Sequence, residues 1–579
     1  MTRTTTRLAA AAMVVALGIA GCGPASSGDA PATGAPDDAG WTAFTTRFLD
    51  GYFALDPSFA VYQGRHEYDG RLADWSDAGL TAQVEYLTRA IGDARAFDAA
   101  ALSDAQRFER DYLVHVAEGQ LFWLQDADAP HTNLTWYFDN GLDPNVYIAR
   151  PYADAATRMR AFTAYARAIP AAAAQIKAAL RLPLPLSHVD YGIAGFEGLA
   201  SYYTHEARAA FEGVTDAALR AEFDRASHEA ASAMQGMADW LRAERPRATQ
   251  AFALGADRFA RMLQATEAVD VPIDELERVG RADLARNQAA LAEACAAYAP
   301  GATLQACMAT MAAAKPEGGP VAEARRQLPV LRQFVADHDL VSIPGTEEAQ
   351  VEEAPPYNRQ NTAYIDIPGP YERGLPSVYY IAPPDPAWTA AEQAAYVPGV
   401  KDLLYTSVHE VWPGHFLNFL HANRARSMFG RVFVGYAFAE GWAHYAEEMM
   451  WDAGLDAGQP ESHIGQLMNA LLRDCRFLSA IGLHARGMTD AESKALFLTE
   501  CYQDEGNARQ QSARGTYDPA YLNYTLGKLL IRRLRDDWSA TRGGRQAWKA
   551  FHDAFLSYGG PPIPLVRGAM MGSAPAAVF

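Results

Sequence analysis

His409-Glu410-Val411-Trp412-Pro413-Gly414-His415 is the stretch best equipped for chemistry. Two neutral imidazoles can hold a divalent metal such as zinc. A glutamate beside the first can take a proton from a water that the metal activates. The familiar form is His-Glu-x-x-His, with its histidines four apart on one helix. Here they are six apart. At 3.6 residues per turn, a step of four rotates by about 40°, whereas a step of six lands roughly 120° from the starting face. A straight helix could not turn both rings onto one ion. Pro413 has no N–H, so the carbonyl of His409 loses its helical partner. Gly414 admits backbone angles that other residues avoid. Together they predict a widened or broken turn that returns His415 towards His409.

The rest of the chain is an internal control. His-Glu also occurs at His66-Glu67, His205-Glu206 and His228-Glu229, and none has another histidine within the next six residues. Six of the 14 histidines (409, 415, 421, 444, 463 and 484) fall between residues 409 and 484, where even scatter would place about two. The signal is the dipeptide with a following histidine, not the dipeptide.

A zinc site needs a third protein ligand. In Glu440-Gly441-Trp442-Ala443-His444-Tyr445-Ala446-Glu447, residues 440, 444 and 447 share one helix face. Glu440 is the expected ligand, with His444 the alternative. Glu447 or His444 would hold the imidazoles by hydrogen bonds, and Gly441 leaves room for another backbone. A tetrahedral oxyanion needs further donors. Tyr524, in Asn523-Tyr524-Thr525-Leu526-Gly527, and His484, in Gly482-Leu483-His484, are the candidates. Arg473, Arg476 or Arg532 could grip a substrate carboxylate bidentately; Arg476 is taken forward as a substrate contact, with Tyr379 and Tyr380.

The elements that must position these groups are mostly helical. A chain of 579 residues, 49% apolar, is too long for one compact core and predicts lobes. Residues 1–21 read as a targeting segment: Arg3 and Arg7, a short apolar run from Ala9 to Ala20, then Ile19-Ala20-Gly21-Cys22, which resembles a bacterial lipoprotein box with Cys22 as the lipid acceptor. The Gly after Cys22 favours the outer membrane by the same resemblance. Residues 22–40 form a Pro/Gly/Ser tether, 41–340 a helical lobe and 341–579 a catalytic lobe. Ser103 and Gln106 predict a capping box. Leu219, Phe223, Ala230, Met234, Met237 and Leu241 predict a long amphipathic helix. Pro, Gly and aromatics mark 341–400, with short β-like runs at Thr362–Ile367 and Ser377–Ala382, where an edge strand could hold an extended peptide. Four cysteines allow three pairings, with free buried thiols the alternative; the local choice is Cys295 with Cys307, leaving Cys475 with Cys501. No fixed-period repeat, phosphate-cradling loop or Gly-x-Ser-x-Gly elbow is present. Formal charge is −19, and −21 once Arg3 and Arg7 leave with the signal, which disfavours nucleic acid and anionic lipid surfaces as partners.

His-Glu-x-x-Pro-Gly-His, Glu-Gly-Trp-Ala-x-Tyr-Ala-Glu, Gly-Leu-His, the late Tyr-x-x-Gly and the early Gly64-x-His66-Glu67-Tyr68-Asp69 resemble the bacterial family called domain of unknown function 885, grouped with gluzincin-like metallopeptidases and rich in lipoproteins. The resemblance runs from about Trp41 to the C-terminal region. It implies a mainly α, two-lobed, zincin-like fold around a deep cleft, with a small β region near 341–385. It implies His409, His415 and Glu440 as zinc ligands and Glu410 as general base. Phe416 and Ala480 depart from the family pattern, which carries a second histidine and an acidic residue there. The expected activity is zinc-dependent cleavage of short peptides, by carboxypeptidase or oligopeptidase action, by a protein lipid-anchored in the envelope and facing the periplasm. The alternatives are a catalytically silent lipoprotein that binds a ligand in the cleft, or a metal-dependent hydrolase of a non-peptide amide or ester. Neither sequence nor resemblance specifies the oligomeric state.

Overall fold

The computed structural model describes residues 38–355, 359, 362–572 and 579. The expected signal, Cys22 and the tether up to residue 37 lie outside them. Helix accounts for 70% and strand for 3% of the fold, so the sheet is a local device, not a layer. No helix among the described residues is long and apolar enough to cross a membrane.

Two hydrophobic cores organise the helices. The first runs from Trp41 to Leu241 and is built around α1 (Ala155–Ala179), α2 (Leu186–Thr204) and α3 (Ala217–Glu244). The side chain of Asp216 caps α3 by accepting from the N–H groups of Ala218 and Leu219, and the whole stripe from Leu219 to Leu241 is buried. The Ser103–Gln106 capping box forms as the spacing requires. Phe429, Val432 and Phe433 from the second half join this core. The second core takes in almost everything after Phe259. The cores therefore part between residues 241 and 259, not at the expected boundary of 340. The helices of 256–337 close over the candidate site's own core instead of extending the first lobe.

The elements framing that second core are α4 (Ile273–Tyr298), α5 (Pro320–Asp337), β1 (Ala349–Glu353), β2 (Ala363–Asp366), β3 (Ser377–Ile381), α6 (Val400–Glu410), α7 (His415–Ala422), α8 (Tyr436–Asp452), α9 (Pro460–Ala485), α10 (Glu505–Tyr517) and α11 (Asn523–Ala540). Helix α9 is buried along nearly its whole length, as a helix is when neighbours surround it. It packs on α4, α6, α8, α10 and α11. Cys475–Cys501 ties α9 to a following loop, and Cys295–Cys307 closes the end of α4, both as the spacing suggested.

The sheet has the order β1-β3-β2, with β1 parallel and β2 antiparallel to β3. Strand β3 is buried at every position and paired on both sides. Its residues Tyr379 and Tyr380 are 0% and 8% exposed and pack within the sheet, and Tyr379 lies near enough to Glu410 for that carboxylate, after burial, to raise its hydroxyl pKa. On the outer side of β1, Arg325 of α5 donates to the carbonyl of Val351, covering that edge. Among the described residues no comparable backbone bond covers the outer edge of β2.

Candidate metal centre

Helix α6 stops at Glu410 and α7 starts at His415, so the two histidines belong to separate helices. The break is a corner. The N–H of Gly414 donates to Val408 O at 2.9 Å, and Trp442 of α8 donates its indole N–H to Pro413 O at 2.8 Å. A Cβ at residue 414 would collide with the carbonyl oxygen of His409, so only glycine fits. The His409 and His415 rings end 4.7 Å apart and nearly perpendicular.

Helix α8 brings Glu440 to the same place. His409 Nε2 is 3.2 Å and His415 Nε2 3.3 Å from Glu440 Oε2. The three candidate ligand atoms all lie within 4.8 Å of one another. In a tetrahedral zinc site with bonds of about 2.0–2.1 Å, ligand atoms sit roughly 3.3–3.4 Å apart. The donor set and the two measured edges therefore fit zinc. His444, the alternative ligand, is wholly buried and lies behind the cluster, with Nδ1 3.7 Å from Glu447 Oε2. Burial and the nearby Lys528 push its pKa down to about 3. Neither of its ring nitrogens has a hydrogen-bond partner among the described residues.

Glu447 orients His409. His409 Nδ1 is 2.7 Å from Glu447 Oε1, against 3.1 Å from Arg473 Nη2, so the shorter contact assigns the ring proton to Nδ1. That leaves the Nε2 lone pair facing Glu440. Arg473 grips both carboxylate oxygens of Glu447 at 3.2 Å. Burial opposes ionisation of Glu447, but Arg473 and His409 overcome it and hold the carboxyl well below its usual range. Glu440 is likewise held far down, the two histidines outweighing burial. Burial and Arg473 resist protonation of His409, yet hydrogen bonds to Glu440 and Glu447 prevail and raise its pKa to about 9. The carboxylate behind Nδ1 is the support that strengthens an imidazole as a metal donor. His415 has no such support, since its Nδ1 is unpartnered among the described residues.

Glu410 ends α6 beside the cluster, 8% exposed, and burial raises its pKa. Tyr524 enters from α11, which approaches α8 because Gly441 and Gly527 let the backbones nearly touch. This meets the expectation for Gly441. The Tyr524 ring stacks 6.3 Å from the His409 ring. Burial, then Glu440, keeps its hydroxyl protonated. Among the described residues neither the Glu410 carboxylate nor the Tyr524 hydroxyl has a hydrogen-bond partner.

Other expected residues are not brought here. His484 lies eleven residues beyond Arg473 on α9, about 16 Å along the axis. Its Nε2 meets Gly515 O at 2.7 Å and its Nδ1 accepts from Leu254 N–H at 3.3 Å, so both ring nitrogens are spent on backbone. It is a packing residue, not an oxyanion donor. Arg532 pairs with Glu448 at 3.2 Å, and Arg473 is committed to Glu447, which removes both as free carboxylate grips. Arg476 does reach the site, its guanidinium 4.8 Å from the Tyr524 ring centroid. The clamp of Arg473 on Glu447, and the Tyr436–Arg514–Asp518 group beside Tyr524, were not foreseen. A signal for the first existed: Arg473 and Arg476 are one turn apart, with Asp474 between them, in a helix buried along nearly its whole length.

Two solved structures are similar in fold. One, described as a "putative lipoprotein of unknown function" from Shewanella oneidensis, has a TM-score of 0.76 at 22% identity, covering 92% of this chain and 99% of its own. The other, a "putative lipoprotein" from Colwellia psychrerythraea, has a TM-score of 0.76 at 15% identity, covering 92% and 98%. No curated protein matches the chain. Residues 57–570 match the pattern of a family described as bacterial protein of unknown function, DUF885, and since that span is most of the 579 residues, the chain belongs to this family.

Proposed function

We propose that the protein is a zinc-dependent peptidase acting on short peptides, with a gluzincin-like ligand set. The observation that carries this reading is the convergence of His409 Nε2 and His415 Nε2 on one Glu440 oxygen at 3.2 and 3.3 Å, with Glu410 alongside. When bound, zinc supplies a Lewis acid and a water acidic enough to react near neutral pH. The Glu410 carboxylate takes a proton from the attacking water and returns it to the leaving amine nitrogen. The Tyr524 hydroxyl donates to the carbonyl oxygen as negative charge develops there. Glu447 and Arg473 keep the His409 ring fixed throughout. On the outer edge of β2, pairing with β3 by residues 362, 364 and 366 turns the backbone of Ala363 and Ile365 outward, where an extended peptide can add.

The lipoprotein box ending at Cys22, together with the descriptions of the two similar structures, supports lipid anchoring in the envelope, with the body in the periplasm. Replacing Glu410→Gln is expected to lower peptide hydrolysis by about 10³-fold while the metal stays bound. Normal turnover by that variant contradicts the assignment of the base. A zinc-replete protein that leaves a whole peptide library intact points instead to a ligand-binding lipoprotein or to a hydrolase of other amides or esters.

A further inference from the structure

Five arginines are buried among the described residues, and four have a carboxylate partner. Arg150 pairs with Asp366 and Glu372, Arg473 with Glu447, Arg535 with Asp536 and Arg567 with Asp537. Arg476, 9% exposed, has none within ion-pair distance. Among the described residues its only hydrogen bond runs from Nε to Gln511 Oε1, at 2.8 Å. The N–H groups of both terminal nitrogens are left over. The nearest charges are like its own: Arg514 and Arg473 lower its proton affinity after burial does. A chain with 69 acidic residues against 50 basic ones does not lack counter-ions, so the vacancy is local to this spot. A buried guanidinium without an anion is costly, and its forked N–H groups match a carboxylate in geometry and charge.

The position is as telling as the chemistry. The Tyr524 ring lies 6.3 Å from the His409 ring and 4.8 Å from the Arg476 guanidinium carbon, so that guanidinium is at most about 11 Å from the His409 imidazole. An extended residue spans about 3.3–3.6 Å, so a carboxylate on Arg476 is one to three residues from a bond cleaved beside Glu410 and Tyr524.

We propose that Arg476 binds the terminal α-carboxylate of the substrate, making the protein an exopeptidase that removes one to three residues from the C-terminus. This rests on the peptidase reading and narrows it. The amide C–N bond breaks, the acyl carbon gains the hydroxyl of water, and the leaving amine gains the proton carried by Glu410. The released fragment keeps its carboxylate on Arg476 until it departs.

Two measurements test this. The first uses the zinc-loaded protein on paired peptides ending in a free acid or an amide, with products read by mass spectrometry. The free acid is expected to be cut within three residues of its end, and the amide about 100-fold more slowly in kcat/KM, the worth of one charge-assisted pair. Arg476→Gln should raise KM for the acid, change kcat less, and so narrow the difference between acid and amide. The second measurement avoids turnover and any variant at residue 476. Calorimetry on Glu410→Gln with the dipeptide Ala-Phe and with its amide should show tighter binding of the acid. Equal cleavage of acid and amide, or cuts far from the C-terminus, both abolished by Glu410→Gln, would overturn the carboxylate role and leave the peptidase reading standing. No cleavage of either peptide, with zinc bound, would overturn both.

Discussion

The chain contains two polar clusters beside a His-Glu dipeptide, one half-buried and one buried, and they behave in opposite ways. At His66-Glu67, the His66 ring is stacked on Tyr152 and closed at both nitrogens, with Nδ1 3.0 Å from Asp69 and Nε2 3.3 Å from Glu372. Arg150 completes that cluster by pairing with Asp366 at 2.7 Å and Glu372 at 3.1 Å and by donating to the carbonyls of Tyr62 and Ile367. Each main charge is answered within the protein. At His409-Glu410 one ring nitrogen is answered by Glu447, while the other shares a single Glu440 oxygen with His415. Three candidate ligand atoms thus face one point, the geometry on which the metal proposal stands. The lesson is that a dipeptide does not make a site. A site arises where side chains are held in place by partners on one side and left with lone pairs facing a common point on the other.

The contrast can be broken from either end. The largest expected effect, after the loss of turnover in Glu410→Gln, is structural. Arg150→Met leaves the half-buried Asp366 without its cation and the buried Glu372 with His66 alone, and should destabilise the fold by about 3 kcal/mol in denaturant unfolding. Zinc content of the folded fraction should be unchanged, because Arg150 serves the first cluster only. Glu447→Gln should reach the metal as well, while leaving buried Arg473 without its carboxylate. It keeps the shape but weakens the hold on His409, so zinc affinity measured by chelator competition is expected to fall about 10–100-fold. The smallest effect sharpens the comparison through pH. The His66 pKa is raised from 6.5 to about 9, its bonds to Asp69 and Glu372 outweighing burial. The stability it contributes is complete below pH 6.5 and lost as pH rises through about 9. With its partial exposure allowed for, about 1–2 kcal/mol should disappear over that window, and a His66→Gln variant should show a flatter profile.

Much of this was legible in residues close together in sequence. The stripe of α3, the Ser103 capping box, the pairing of Cys295 with Cys307 and the strands β2 and β3 follow from local pattern. So did the corner at Pro413-Gly414, because the loss of an N–H and the lack of a Cβ act where they stand. What was not legible depended on partners far along the chain. Strand β1, Ala-Gln-Val-Glu-Glu, has little strand propensity and extends because β3 and Arg325 flank it. His484 sits in a suggestive Gly-Leu-His context, but its ring direction is set by the backbones of Leu254 and Gly515. Arg473 and Arg476 look equivalent one turn apart; only α8, which supplies Glu447 to one and no carboxylate to the other, tells them apart. The boundary between the cores moved for the same reason, since the helices of 256–337 are claimed by contacts with α9 and its neighbours.

The most direct test of the central claim is the metal content of the purified, folded protein, measured after exchange into zinc-containing and then zinc-free buffer. The account predicts one tightly held zinc per chain, lost in His415→Ala and in Glu440→Ala and retained in His484→Ala. A wild-type protein that takes up no divalent metal, or a Glu440→Ala variant that holds zinc as tightly as the parent, would contradict it.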